Sequence, residues 1–258
     1  MPRPTSPRDL VPEGHTPQTR HDEKLRIALS FVAVFGVTTV KLIDTALGVR
    51  CSNFTYMMRR RRLLKSTFIP GLPFGLVSLT AKARRLAEVH LGREVAARRM
   101  DSFSTHTLSH DLMTQQALLD SLNGIAERSG GSIDLAEFLR HARESRDLTH
   151  LEKWSRPDVL YIDPRANAGF ALELERSQKS TVVLVKAKMH RLVRFRAAAG
   201  LNSLAIEFAV RGGPKTLARY KDCWETVQEE AHLDGIHQDE LARTRCRFRA
   251  VDDYPGMH

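Results

Sequence analysis

The residues best equipped for chemistry lie in one stretch, PDVLYIDPRANAGFALELERSQKS, running from Pro157 to Ser180. Val159, Leu160, Tyr161 and Ile162 form a short apolar, β-branched and aromatic run, which predicts a strand. Pro164 to Gly169 is turn chemistry, and Phe170 to Leu174 is a second apolar run, broken by Glu173. Side chains two apart in a strand share a face, so Glu173 and Glu175 point the same way. A neighbouring strand that opens with Asp158 brings a third carboxylate beside them. Three such oxygen donors suit a hard divalent cation such as Mg²⁺. Lys179 follows four residues after Glu175, where the chain is expected to turn into a helix. A lysine there could hold an attacking water or offset charge on a phosphate.

Several elements must position these groups. Ser104 to Asn123 reads as a helix carrying Leu108, Leu112, Ala117, Leu118 and Leu122. His106, His110 and Asp111 lie at its start. His106 and His110 share a helical face and could ligate a metal, but no third ligand is spaced to join them, so capping and packing is the expected role. Ser129-Gly130-Gly131-Ser132 is a loop, and residues 133–148 hold either a strand or a short helix. From Ser180 to about Ala199 comes a helix with Val185, Met189, Leu192 and Val193 on one side. Lys186, Lys188, Arg191 and Arg194 occupy its other side. Ser203 to Val210 is a strand, Lys215 to about Ala231 a helix, and Cys246 to Val251 a last short strand. This second region, residues 101–258, is expected to be an α/β (α+β) sandwich around a mixed sheet.

The first region differs in charge. The chain has 258 residues and a net charge of +10. Residues 1–100 carry 18 Lys and Arg against 7 Asp and Glu, whereas residues 101–258 carry 22 against 23. All of the excess positive charge therefore sits in the first part, the footprint of a nucleic-acid-binding module. Residues 1–22, polar and Pro-rich, are expected to be a disordered arm. Residues 23–100 follow as a helix to Phe35, a short helix capped by Thr38 or Thr39, and a third helix capped by Ser52 or Asn53. A hairpin with the tip Pro70-Gly71-Leu72-Pro73 and a helix capped by Thr80 complete the region. That order is the order of a winged helix-turn-helix. In it, Ser52, Asn53, Thr55 and Tyr56 are placed to read bases, while Arg59, Arg60, Arg61, Arg62 and Lys65 neutralise phosphates. The partner expected is double-stranded DNA.

Other classes are disfavoured. The longest apolar stretch, Ile27 to Val40, is interrupted by polar residues and too short to span a bilayer. The first residues have no apolar central region of the kind a signal peptide carries. Cys51, Cys223 and Cys246 have neither disulfide nor zinc spacing, which fits a reducing compartment. A cytoplasmic protein without membrane association is expected.

The spacing Pro157-Asp158, fourteen residues, then Glu173-x-Glu175-x-x-x-Lys179 resembles the active-site layout of the restriction-endonuclease-like superfamily, written PD-(D/E)-x-K. Its core of helix, three strands, helix and strand is one that residues 104–210 could supply. Glu175 stands where that pattern has lysine; some members carry Glu there, and in others the lysine has moved, with Lys179 the natural candidate here. Over roughly residues 23–210 the chain is similar to plasmid replication-relaxation and mobilisation proteins, including the MobC-type relaxases. The segments LTAKARRLA and FALELERSQKS carry that resemblance. It implies that Asp158, Glu173 and Glu175 hold Mg²⁺ or Mn²⁺, that Lys179 assists, and that DNA is nicked at an origin of transfer. A plasmid-encoded relaxosome partner is implied as well. The competing reading is a non-catalytic DNA-binding relaxosome accessory protein or transcriptional repressor.

Overall fold

The computed structural model describes residues 16–49, 53–70, 72–97, 104–131, 133–148, 156–175, 182–232, 235–252 and 254–255. It is a mixed α/β structure with two separate sheets. The chain divides into two compact units. One comprises Met1–Pro70, Gly75–Arg98 and Asp134–Arg140; the other comprises Gly71–Phe74, Arg99–Ile133 and His141–His258. The change of region expected near residue 100 is thus crossed a second time, by residues 134–140. No helix among the described residues is long and apolar enough to cross a membrane.

The first unit opens with helix α1 (Pro17–Phe35). The helix begins six residues before Glu23, inside the segment expected to be a disordered arm. The reason is local. The Thr16 hydroxyl accepts from the Thr19 amide at 3.1 Å, and the Thr19 hydroxyl accepts from the Thr16 amide at 2.8 Å. Pro17 sits at the first helical position, where its missing N–H leaves nothing unsatisfied. Strand β1 (Thr38–Thr39) and helix α2 (Val40–Ala46) follow, with Thr39 accepting from the Leu42 amide as the cap. Helix α3 (Phe54–Arg60) ends earlier than its apolar pattern suggests. Arg62 adopts φ 55°, in the left-handed region. The Arg62 amide donates to Arg59 and the Leu63 amide to Met58, both at 2.9 Å, closing the helix end. Leu64 therefore starts strand β2 (Leu64–Thr67) rather than ending a helix. Strand β2 pairs antiparallel with β3 (Leu76–Leu79), Leu64 opposite Leu79, and β1 pairs with the other edge of β3. Helix α4 (Ala81–Leu91) closes the unit, capped by Thr80 as expected. Leu29, Phe31, Val32, Phe35, Leu42, Ile43, Met58 and Leu76 are buried in this unit.

The second unit is built on α5 (Thr105–Ser129), which runs past Asn123 until Gly130 takes a left-handed conformation. Helix α6 (Leu135–His141) leads directly into strand β4 (Ala142–Glu144), so residues 133–148 hold both a helix and a strand. Strands β5 (Val159–Asp163), β6 (Ala168–Glu175), β7 (Ser203–Arg211) and β8 (Thr244–Val251) complete a five-stranded sheet in the order β4-β5-β6-β7-β8. The first three strands are antiparallel, whereas β6, β7 and β8 are parallel. Parallel neighbours need crossovers. Helix α7 (Val182–Ala198) makes one; α8 (Pro214–Glu230) and α9 (Gln238–Ala242) make the other. Gly169, early in β6, leaves room for the Leu204 side chain, which a Cβ there would approach to 2.7 Å and push aside.

Alternation assigns the two faces of this sheet. Ala171, Ile206, Phe208 and Val210 pack with Val185, Met189, Leu192 and Val193 of α7 and with Tyr220, Trp224 and Val227 of α8. The other face meets α5, where the Ser121 hydroxyl donates to Glu207 at 2.7 Å. Glu173 and Glu175 fall in step with Ala171, so they share the α7 side.

Candidate functional site

The organising stretch folds as its pattern predicts: β5, a turn, and β6. Val159 pairs with Leu172, which sets Asp158 beside Glu173 on the adjoining strand. The Asp158 carboxylate is fixed there, accepting from the Leu174 amide at 2.7 Å. Glu173 and Glu175 come from the end of β6 next to the crossover into α7. Lys188, on the second turn of α7, reaches back to both. Its Nζ lies 2.5 Å from Glu173 Oε2 and 3.2 Å from Glu175 Oε1. Glu173 and Glu175 are thus paired with one ammonium, and the charge of Asp158 acts on it from nearby.

The cluster has a dry end and a wet end. The Glu173 side chain is 1% exposed, against 16% for Glu175, 18% for Asp158 and 29% for Lys188. Burial pushes the Glu173 carboxyl up to about 8; Lys188 opposes that shift, while Asp158 and Glu175 reinforce it. Burial alone would lower Lys188, but the carboxylates of Glu173, Glu175 and Asp158 outweigh it and hold the ammonium above its ordinary range. Lys188 donates a hydrogen bond to Glu175. Its contact with Glu173 Oε2 is a close ion pair, while Glu173 Oε1 has no hydrogen-bond partner.

Helix α5 borders the same cluster. His110 Nε2 is 3.6 Å from Asp158 Oδ2, and His110 Nδ1 is 3.9 Å from Asp111 Oδ1. Asp111 forms an ion pair with Arg146, which also reaches Glu144 at 3.0 Å. His110 and Asp111 therefore do more than pack at a helix start: they join the carboxylate cluster to a buried ion-pair network.

Carboxylate oxygens are the donor type that a hard divalent cation takes. Among the described residues, no three His, Cys, Asp or Glu side chains are arranged so that they could hold a metal ion. The positive charge at the centre is that of Lys188. Lys179, expected to assist, lies outside the described residues. The broad periodicity of α7 puts Lys188 on the outward side of its helix, and the structure corrects that placement. The signal is present in finer detail: Val185, Lys188, Met189 and Leu192 follow the i, i+3, i+4, i+7 spacing of a single buried stripe.

In the first unit, α3 exposes Asn53, Tyr56, Arg59 and Arg60, and Arg61, Arg62 and Lys65 are exposed after it. The Arg60 guanidinium lies 6.0 Å from the centroid of the Tyr56 ring, in cation–π range. Phe68, at the start of the hairpin tip, is 75% exposed. Thr55 does not belong to this surface. It is 1% exposed and points inward with Phe54 and Met58, so it cannot touch a base; the helix begins at Phe54, and that phase turns Thr55 to the core. Ser52 lies outside the described residues. No family model, curated protein or solved structure matches the chain.

Proposed function

We propose that this chain is a DNA-nicking protein of plasmid mobilisation, in which the first unit grips duplex DNA and the second hydrolyses a phosphodiester with a divalent cation. Two arrangements support the reading. Helix, strand, helix, helix and a two-strand hairpin around a three-stranded sheet is the order of a winged helix. Helix, three antiparallel strands, helix and parallel strand is the order of a restriction-endonuclease-like core. The observation that carries the reading is Glu173. It is a fully buried carboxyl, ion-paired to Lys188 at one oxygen and without a hydrogen-bond partner at Oε1, with Asp158 and Glu175 nearby. A buried acid of that kind is destabilising unless something uses it.

Asp158, Glu173 and Glu175 would hold Mg²⁺ or Mn²⁺. Such an ion would supply Lewis acidity to the scissile phosphate and lower the pKa of a water, so that hydroxide is available as the nucleophile. Lys188 would offer an ammonium to the charge that grows on the phosphate, beside the assisting role expected of Lys179. Asp158 is kept in position by the Leu174 amide. The exposed arginines of the first unit, Arg59 to Arg62, together with Lys65, supply sequence-independent attraction to the duplex; Tyr56 and Asn53 face the bases. The test is relaxation of supercoiled plasmid carrying an origin of transfer, with Mg²⁺ or Mn²⁺ present. Glu173→Ala is expected to lower nicking by at least about a thousandfold and to spare DNA binding. Nicking that survives loss of Asp158, Glu173 and Glu175 together would refute the assignment.

A second reading has one observation in its favour: no three acidic or imidazole side chains among the described residues are grouped for a metal. In that reading the chain is a relaxosome accessory factor or repressor, binding DNA with a steep salt dependence and cutting it with no metal.

A further inference from the structure

Strand β8 carries a charge pattern that the balance of its region hides. Residues 101–258 hold 22 Lys and Arg against 23 Asp and Glu. Yet β8 has an arginine at every second position from Arg245 through Arg247 to Arg249. Side chains two apart in a strand share a face. Cys246 and Phe248 pack into the core on the α8 side. The three arginines therefore line the other face, the one that α5 meets. The register sets Arg245 beside Ala205, Arg247 beside Glu207 and Arg249 beside Ala209 of β7.

Arg249 is taken up by the fold. It donates to Glu207 at 2.9 Å and to the Ala117 carbonyl at 2.7 Å, and it lies 3.6 Å from Asp120. Both of those acids are thereby answered. Arg245 and Arg247 are exposed, and among the described residues neither side chain has a hydrogen bond or an ion pair. Strand β8 is also the last in its sheet, so its outer edge is unpaired among the described residues.

We propose that Arg245 and Arg247 form a second phosphate-binding surface, at the sheet edge of the second unit, that holds the backbone of duplex DNA. The proposal rests on reading DNA as the partner of this chain, and it adds a contact that the first unit does not supply. Charge selects the occupant. A second copy of the chain paired along this edge would set its own arginines against these, and like charges on paired strands repel. A polyanion meets no such opposition. The guanidinium stays charged and offers its N–H donors in a fork that matches phosphate oxygens. Arginines two positions apart are spaced about 6.7 Å along the sheet edge, an interval that lets neighbouring guanidiniums take neighbouring phosphates. Such contacts fix position without reading sequence.

The test is binding of the full chain to duplexes of several sequences over a range of salt. The double variant Arg245→Gln, Arg247→Gln is expected to lower the salt slope by about 2 and to weaken binding evenly across sequences. An unchanged slope would overturn the proposal, and self-association of the variant would then assign the arginines to guarding an open edge. Wild type supplies a second measurement that does not depend on the variant. Modification of Arg245 and Arg247 by phenylglyoxal, followed by mass spectrometry of their peptides, is expected to slow several-fold when DNA is bound. No protection, or equal protection by polyglutamate, would overturn the proposal, the latter in favour of an acidic protein. Plasmid relaxation by the same preparations separates the two ideas. A lowered slope without nicking by wild type keeps this surface and removes the nuclease; nicking with an unchanged slope removes the surface and keeps the nuclease. Wild type that binds no DNA would remove both.

Discussion

The two units handle charge in opposite ways. In the first, the buried polar residues are Ser30, Thr38, Thr39, Thr55 and Ser78, none of them charged, while Arg59 to Arg62 lie outside. In the second, Asp111, Glu144, Glu173, Arg196 and Glu207 are buried. Charge left at a surface acts at a distance and attracts a polyanion at little cost to the fold. Charge drawn inside must be matched at close range. Two glutamates of the second unit show what matching means. Glu207, in β7, is fully answered: Ser121 donates at 2.7 Å and Arg249 at 2.9 Å, and Arg249 continues to the Ala117 carbonyl at 2.7 Å. Glu173, one strand away on the opposite face, is ion-paired to Lys188 at one oxygen, and its Oε1 has no hydrogen-bond partner. The first glutamate fastens α5 to the sheet. The second sits where burial and two neighbouring carboxylates disfavour its charge.

That contrast can be tested at three sites. The largest effect is expected at Glu207→Ala, which strands the Arg249 guanidinium and removes the tie to Ser121. A loss of about 3–5 kcal/mol in urea unfolding is expected; a loss below about 1 kcal/mol would place Glu207 with ordinary surface charges. Next comes Glu173→Gln, whose effect depends on pH. Folding raises this carboxyl from 4.5 to about 8. The folded state therefore keeps the proton that the unfolded state releases. Stability from this group is fully present below pH 4.5 and is lost as pH rises toward 8, by about 1.4 kcal/mol per unit. Glu173→Gln should equal wild type near pH 4.5 and become more stable than it by a few kcal/mol at pH 8. A variant less stable than wild type at pH 8 would mean that pairing with Lys188 outweighs burial. The smallest effect belongs to the first unit. Arg62 holds a left-handed backbone that glycine adopts more easily. Arg62→Gly should gain about 1 kcal/mol in stability and reduce the salt slope of DNA binding by about 1. A gain without any change in slope would show that the arginine touches no phosphate.

Much of the fold could be read from local signals. Thr39, Thr80 and Ser104 cap helices because a hydroxyl before an apolar run answers free amides, and the sequence marks each of them. The strand pair holding Asp158, Glu173 and Glu175 follows from alternation and a turn. What local signals miss depends on partners far along the chain. Helix α9 is five residues long and has only Leu241 buried, too little apolar repeat to notice. Strand β2 is hidden because Leu63 and Leu64 continue a helical pattern that the backbone of Arg62 interrupts. Lys188 stands fifteen positions from Glu173 and reaches it only because α7 folds back across the sheet. The pairing of His110 with Asp158 likewise requires α5 to lie beside β5, a fact of packing rather than of spacing.

Helix α6 has a practical consequence. Residues 134–140 group with the first unit, and both ends of the segment are tied into it: Asp134 lies 3.7 Å from Arg26 of α1, and Arg140 donates to the His90 carbonyl of α4 at 3.4 Å. Phe138 and Leu139 are buried along its length. A gene fragment that stops after residue 98 would therefore encode a first unit missing one of its own walls. Expression of that fragment would yield a less soluble product than its residue range suggests, and supplying the missing segment as a synthetic peptide should restore it.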